Sequence, residues 1–387
     1  MFNRTLEGHL PDESFFLFGP RQVGKSTLLG KTQTVFAIDL LDPAIQQSYS
    51  KDPDLLARQL LAQKKTGMVL IDEIQRVPKL LDVIHGLMEK NPGFKFAMSG
   101  SSARKLRHGA ANLLGGRALY RTLYPLTLQE MEKHFSLEKV LHFGSLPKIY
   151  TNLIEGKLEL AQDLLRSYVI TYIKEEIKAE ALVRNLQGFQ NFLDIAAAQF
   201  AEQVNFSDLG RQCAVAYATV REYYSILEDT LIGFLLYPYL KSERKRMSHA
   251  PKFYFFDNGV LRAISGTLKD PANPIEKGRL FEQWVVQEVS RLNAYYQKDW
   301  KLSFWRTSHG AEVDLLLEHG GKIVCAIECK FKKSLSRGDL SGVFAFQEEH
   351  PDVPVYVAAP IEVAEKIGDA LILPPKQLFD KLLTIGR

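Results

Sequence analysis

The chain has 387 residues, 46% apolar and 24% charged, with a net charge of +4. This is enough apolar material for about two to four packed cores. It excludes a disordered or collagen-like chain. Its longest membrane-like run, Leu231–Leu240, is too short to span a bilayer and contains Pro238. The first residues, Met1–Glu7, lack the apolar core of a secretory signal, so a cytoplasmic protein without a membrane partner is expected.

Phe15–Phe18 read as a buried strand and lead into Gly-Pro-Arg-Gln-Val-Gly-Lys-Ser at residues 19–26, a complete G-x-x-x-x-G-K-[ST] loop. The glycines let backbone N–H groups close around phosphate oxygens. Lys25 is expected to reach the β and γ phosphates, and the Ser26 hydroxyl to hold Mg²⁺. Gly19, Arg21, Gln22, Val23, Gly24 and Thr27 complete the predicted ATP cradle, and a helix starting near Lys25 adds its positive dipole end.

A second strand, Met68–Ile71, ends in Asp72 and Glu73. Asp72 would hold the metal and Glu73 would polarise the attacking water, the division of labour that phosphoryl transfer needs. A third strand, Phe94–Met98, ends at Ser99, a candidate sensor of the γ phosphate, with a plain strand-to-loop turn as the alternative. The cationic excess lies in residues 1–135, partly in Arg104, Lys105, Arg107, Arg117 and Arg121 after this strand. Most of these read as a solvated charged face.

These residues, with Gly115-Gly116-Arg117-Ala118 and Tyr124-Pro125-Leu126, resemble the AAA-type ATPases that carry a C-terminal domain of unknown function 4143. The resemblance covers nearly the whole chain. It implies an α/β fold class: a P-loop AAA-type NTPase core (1–128), a helical lid and linker (129–200), a winged-helix-like segment (201–268) and a restriction-endonuclease-like domain (269–387). It also makes Arg117 a candidate arginine finger or sensor. A finger acting on a neighbouring subunit would require a homo-oligomer.

Past Pro125 the apolar spacing turns helical around 126–135, 158–179 and 186–200, with Ser145, Leu146, Pro147 and Tyr150 read as a loop. Ser207 can cap a helix over 208–213, and 218–229 can form a second with Val220, Tyr223, Ile226 and Leu227 inward. Strands over 231–240 and 252–256 would follow, joined by a basic wing at 241–246. Arg221 stands among Glu222, Glu228 and Asp229, which argues against base readout by the second helix. The wing could grip phosphates without reading sequence; contact with protein is the favoured alternative.

In the last domain Gly278-Arg279-Leu280-Phe281-Glu282 opens an amphipathic helix, Glu312-Val313-Asp314 heads a strand, and Ile327-Glu328-Cys329-Lys330 closes the next. Strand alternation puts Glu328 and Lys330 on one face, and Cys325 and Cys329 with Ile323 and Ile327 on the other, where they pack as core. Cys213 completes a set of three cysteines, too few for a disulfide framework or a four-ligand metal site.

Asp314 and Glu328 could bind Mg²⁺, with Glu282 completing the set and Lys330 orienting water or stabilising charge. The order matches the acidic-residue and E-x-K pattern of restriction-endonuclease-like folds. The expected function is therefore an ATP-hydrolysing protein coupled to a nuclease-like domain, with DNA as the polymer partner. An ATP-dependent interaction switch, whose last domain binds partner proteins without cleaving, is the alternative. A small-molecule kinase would use the loop but leave the last two domains without a task.

Overall fold

β1 (Phe15–Phe18) is four apolar residues, all buried, as a strand must be when both faces of its sheet are covered. The computed structural model describes residues 2–63, 65–100, 114–173, 185–240 and 249–385. The side chains named at 104, 105 and 107 and the wing at 241–246 lie outside the described residues, as does the end of the helix expected to run to 179. The chain divides into two compact units, Met1–Leu126 with Asp229–Ile232, and Thr127–Glu228 with Gly233–Arg387.

In the first unit β2 (Phe36–Asp39), β3 (Met68–Asp72), β4 (Lys95–Gly100) and β5 (Leu119–Thr122) join β1 in a parallel sheet of order β2-β3-β4-β1-β5. β4 thus lies between the strand that enters the phosphate loop and the strand that ends in Asp72. All C-terminal strand ends share one edge, where open parallel sheets hold their ligands. The helix Leu80–Lys90 turns Leu80, Leu81, Ile84 and Leu87 onto this sheet, in one core with Phe96, Met98 and Ile71.

The second unit begins with helices. Thr127 and Glu130 form a reciprocal capping box at the start of Leu128–Met131. Pro147, expected in a loop, is instead the first residue of the helix Pro147–Ile154, where a missing N–H costs nothing. Tyr150 in that helix is fully buried, its hydroxyl donating to His134 O. Helices Leu158–Ser167 and Leu186–Ala198 follow, and then one that starts at Phe206, capped by Asn205 Oδ1, which accepts the Asp208 N–H, so Ser207 lies inside it rather than at its cap. Tyr217–Asp229 follows, with Val220, Tyr223, Ile226 and Leu227 buried.

β6 (Gly233–Leu236) and β7 (Lys252–Phe255) pair antiparallel. The expected long strand to Leu240 ends at Leu236 because the chain then leaves β7. Phe304 N–H donates to Tyr237 O and Tyr239 N–H donates to Phe304 O, flanking Pro238, which has no N–H to offer a ladder.

The helix Pro274–Tyr295 opens four residues before Gly278, with Asn273 capping Glu276 and proline first. Its buried face includes Leu280, Phe281, Trp284 and Val285. β8 (Lys301–Arg306), β9 (Glu312–His319), β10 (Lys322–Cys329), β11 (Val355–Ala358), β12 (Glu365–Ile367) and β13 (Ala370–Leu373) form a mixed sheet of order β12-β13-β11-β10-β9-β8. Cys213, Cys325 and Cys329 are all buried free thiols.

Candidate nucleotide site and a buried charge cluster

The loop between β1 and the helix Lys25–Leu29 needs glycine at both ends. A Cβ on Gly19 would lie 2.3 Å from Leu123 O, and Gly24 sits at φ +97°, a left-handed conformation that disfavours other residues. The helix has only five residues, so its dipole is small, and the loop's own N–H groups carry most of the anion affinity. Lys25 is buried and its ammonium donates to Gly19 O (2.7 Å) and Pro20 O (3.0 Å), folded onto the loop it would share with phosphate. Arg21, Gln22 and Gly24 are half-buried, Val23 is buried, and Ser26 and Thr27 are exposed.

Three strand ends bring polar groups together beside this loop. Ser26 Oγ donates to Asp72 Oδ2 at 2.6 Å, and Ser99 Oγ donates to Asp72 Oδ1. The Glu73 N–H donates to Ser99 Oγ at 3.0 Å, and the Gln75 amide donates to the Glu73 carboxylate. Glu73 itself adopts φ 59°, ψ 45°, a strained backbone for a non-glycine residue. Neighbouring bonds therefore hold both its backbone and its carboxylate.

Two residues of this site escaped sequence reasoning. Gln75 follows the acid pair by two positions and carries no motif of its own. Arg4 is isolated in sequence, yet its guanidinium donates to Val23 O (2.6 Å) in the loop and to Tyr124 O (2.5 Å). No local signal could have found it.

Arg117 is not part of this assembly. Leu119 pairs with Phe15, at the far end of β1 from Gly19, which sets Arg117 at least about 13 Å along the strands from its own phosphate loop. There it pairs with Glu89 at 2.9 Å, both side chains being largely exposed. It cannot touch a nucleotide bound by its own loop.

In the second unit Glu282, Glu312, Asp314, Glu328 and Lys330 come together, and the structure adds a group that sequence spacing did not suggest. The Lys252 ammonium, 4% exposed, lies 2.8 Å from Glu282 Oε1, 2.6 Å from Glu312 Oε1 and 3.6 Å from Asp314 Oδ1. Tyr254, two residues along β7, donates to Glu282 Oε1 at 2.6 Å. The Cys329 N–H donates to Asp314 Oδ2 at 2.9 Å, and Lys330 pairs with Glu328 Oε1 at 2.6 Å. Glu328 Oε2 is buried without a hydrogen-bond partner.

Burial pushes the Asp314 carboxyl up to about 7, with the nearby Glu282 charge adding to the rise and Lys252 opposing it. Burial and then the Asp314 charge push Glu328 up to about 8, against Lys330. Burial alone would lower Lys252, but Glu282 and its other acidic neighbours hold it well above the usual lysine range. Arg306 joins Lys252 and Lys330 as a cation of the cluster by pairing with Glu312 Oε2 at 2.5 Å.

Among the described residues no three acidic, histidine or cysteine side chains stand together ready to hold a metal ion. Lys252 supplies positive charge to Asp314 from inside the chain, while Glu328 pairs with Lys330.

Residues 12–132 match the family model of an AAA domain, residues 134–270 that of a domain of unknown function 8612, and residues 277–378 that of a domain of unknown function 4143. This chain carries an AAA domain. With it comes nucleotide binding and an ATPase-type function. The chain is similar to an uncharacterized protein of Mycobacterium tuberculosis, 27% identical over 379 residues, covering 96% of this chain and 81% of the relative. An uncharacterized protein of Methanocaldococcus jannaschii is 23% identical over 353 residues, covering 82% and 75%. A solved chain of Drosophila ORC bound to AT-rich DNA and Cdc6 aligns with 68% of this chain and 87% of its own length at 12% identity. Its TM-score is 0.21, too slight a likeness to carry an argument. No described helix is long and apolar enough to cross a membrane.

Proposed function

We propose that this chain hydrolyses ATP in its AAA domain and uses the nucleotide state to govern what its C-terminal domain does to a partner. The observation that carries the reading is the convergence on Asp72: one carboxylate oxygen takes the Ser26 hydroxyl, the other takes Ser99, and Ser99 holds the Glu73 backbone. The Ser26 hydroxyl and the Asp72 carboxylate are hard oxygen donors 2.6 Å apart, a pair that fits Mg²⁺. When bound there, Mg²⁺ supplies neutralisation of charge developing on the phosphates. Lys25 exchanges two loop carbonyls for phosphate oxygens. Glu73 orients and polarises the attacking water, and Ser99 keeps Glu73 and Asp72 in register.

For the C-terminal domain we read an interaction switch rather than a nuclease. The seated Lys252 ammonium supports a binding role because it pairs with Glu282 and lies 3.6 Å from Asp314, two carboxylates a nuclease would use for metal. The nuclease reading, on a restriction-endonuclease-like domain, retains one supporting observation: Glu328 Oε2 has no partner and Lys330 stands on the same strand face. DNA is the proposed polymer partner on that reading, alongside partner proteins, a cytoplasmic location and a homo-oligomer through Arg117. The helix-helix-hairpin order of residues 206–255 supports the winged-helix-like reading.

ATPase rate measured alone and with single-stranded, duplex and branched DNA tests the proposal. Stimulation by one DNA form identifies partner class and coupling together. Absence of any hydrolysis, or phosphate transfer to a metabolite without response to DNA, overturns it.

A further inference from the structure

The second unit holds a cavity of about 820 Å³, the size of a small-molecule site, lined from the helices Leu137–Phe143 and Leu158–Ser167 and from the start of Pro274–Tyr295. Leu141, Leu268, Leu280 and Phe331 give it an apolar wall, and the Phe331 ring packs on Phe281 with centroids 5.6 Å apart. His142 adds a neutral polar edge. Burial lowers it below the ordinary histidine value, and its Nε2 donates to Leu268 O at 2.8 Å.

Three cations line the same cavity, Lys269, Lys277 and Lys333, against one acid, Glu138. Lys330 and Lys332 pair with Glu328 and Asp339, whereas among the described residues none of the three lining ammonium groups has an ion-pair partner. Lys277 also stands near the N-terminal end of its helix, where the dipole disfavours a cation, so helix stability does not explain it. An apolar wall beside unpaired cations matches a ligand that is both apolar and negative. We propose that this cavity binds a small organic anion with an apolar body, its hydrocarbon or aromatic part against the leucines and Phe331 and its negative group among the three lysines. A nucleic-acid strand would satisfy the lysines but set polar sugar and phosphate against the leucines, at a cost in desolvation. Phe331 follows Lys330 directly, so the occupant packs against the segment that leaves the buried charge cluster. The inference does not rest on the ATPase reading, so the two can fail separately.

The test uses the full chain and anilinonaphthalene sulfonate, an aromatic anion whose fluorescence rises in apolar surroundings, with the uncharged dye Nile red as its control. The anion should bind saturably and be displaced by octanoate, and far less by octanol. Leu158→Trp and Ala272→Trp, at two lining positions that are not deeply buried, should each fill the cavity and remove the signal. The Lys277→Gln, Lys333→Gln double variant should weaken the anion about tenfold and leave Nile red within about twofold. Absence of saturable binding by the folded wild type overturns the proposal, as does a signal that survives both tryptophans or ignores the lysines. Displacement by a single-stranded oligonucleotide or an acidic peptide, but not by octanoate, overturns the ligand class. Displacement by ATP would place the probe in the AAA domain and overturn it as well. Hydrolysis by the same preparation stands or falls by itself.

Discussion

The Ser99 hydroxyl accepts the Glu73 backbone N–H at 3.0 Å and donates to the Asp72 carboxylate, tying Asp72, the last residue of β3, and Glu73 after it to the end of β4. Glu73 needs that tie, because its left-handed backbone is not one it would adopt unaided. Ser99→Ala should leave ATP affinity within a few-fold of wild type and lower kcat by about 10- to 100-fold, the cost of a misplaced catalytic group. Gln75→Ala should separate the backbone effect from the side-chain effect, since Gln75 holds only the Glu73 carboxylate. Equal kcat in wild type and Ser99→Ala would remove Ser99 from the mechanism.

Lys25 and Glu73 should fail in different ways. Lys25→Ala loses the ammonium that would replace Gly19 O and Pro20 O with phosphate oxygens, and nucleotide binding should disappear. Glu73→Gln keeps shape and loses the charge that polarises water, so binding should survive and hydrolysis fall by about 10²–10⁴. Titration with a fluorescent ATP analogue beside a phosphate-release assay distinguishes the two. Wild-type turnover by Glu73→Gln would sink its assignment.

The part of the site read from sequence is the part written locally. Gly19, Gly24, Lys25 and Ser26 lie within one loop whose spacing is its mechanism, and Asp72 ends an apolar run. Arg4 and Lys252 act across long separations, 120 residues from Arg4 to Tyr124 and 30 from Lys252 to Glu282, and nothing beside them in sequence marks the partner. The boundaries that moved did so through local chemistry weighed wrongly: Pro147 starts a helix as readily as it marks a loop, and Asn205 outcompetes Ser207 for the same cap. Glu328 and Lys330 were found by alternation, but the lysine that fills the cluster comes from another strand.

Arg117 stands at the opposite end of the sheet from its own phosphate loop, so any action on ATP must be on a neighbouring copy's nucleotide. Mixing Arg117→Ala chains with Lys25→Ala chains should then recover part of the activity that each lacks alone, because mixed assemblies pair an intact loop with an intact arginine. Loss of the exposed pair with Glu89 should cost less than about 1 kcal/mol, so the fold should be unaffected. A chain that remains monomeric with nucleotide bound at all concentrations would rule the proposed role out.

The buried trio Glu288, Arg291 and Asp257 should give the second unit a pH signature. Glu288 accepts from Arg291 (2.8 Å) and from the Leu128 N–H (2.9 Å), yet burial pushes it up to about 7. Asp257 is also raised by burial and draws on the same guanidinium. One cation serving two buried carboxyls leaves one of them favouring its proton. Between the ordinary carboxyl value of 4.5 and about 7 the folded chain therefore holds a proton that the unfolded chain has released. That contribution to stability is complete below the lower value and is lost as pH rises through the upper one. Glu288→Gln keeps an acceptor for the Leu128 N–H and keeps the trio neutral, so it should be mild and should flatten the slope. Arg291→Met should instead cost about 3–5 kcal/mol, because it strands buried carboxyls and frees the Phe256 carbonyl. Unfolding midpoints measured from pH 5 to 8 check both claims. A wild-type slope identical to that of Glu288→Gln across this window would show that Glu288 stays ionised throughout.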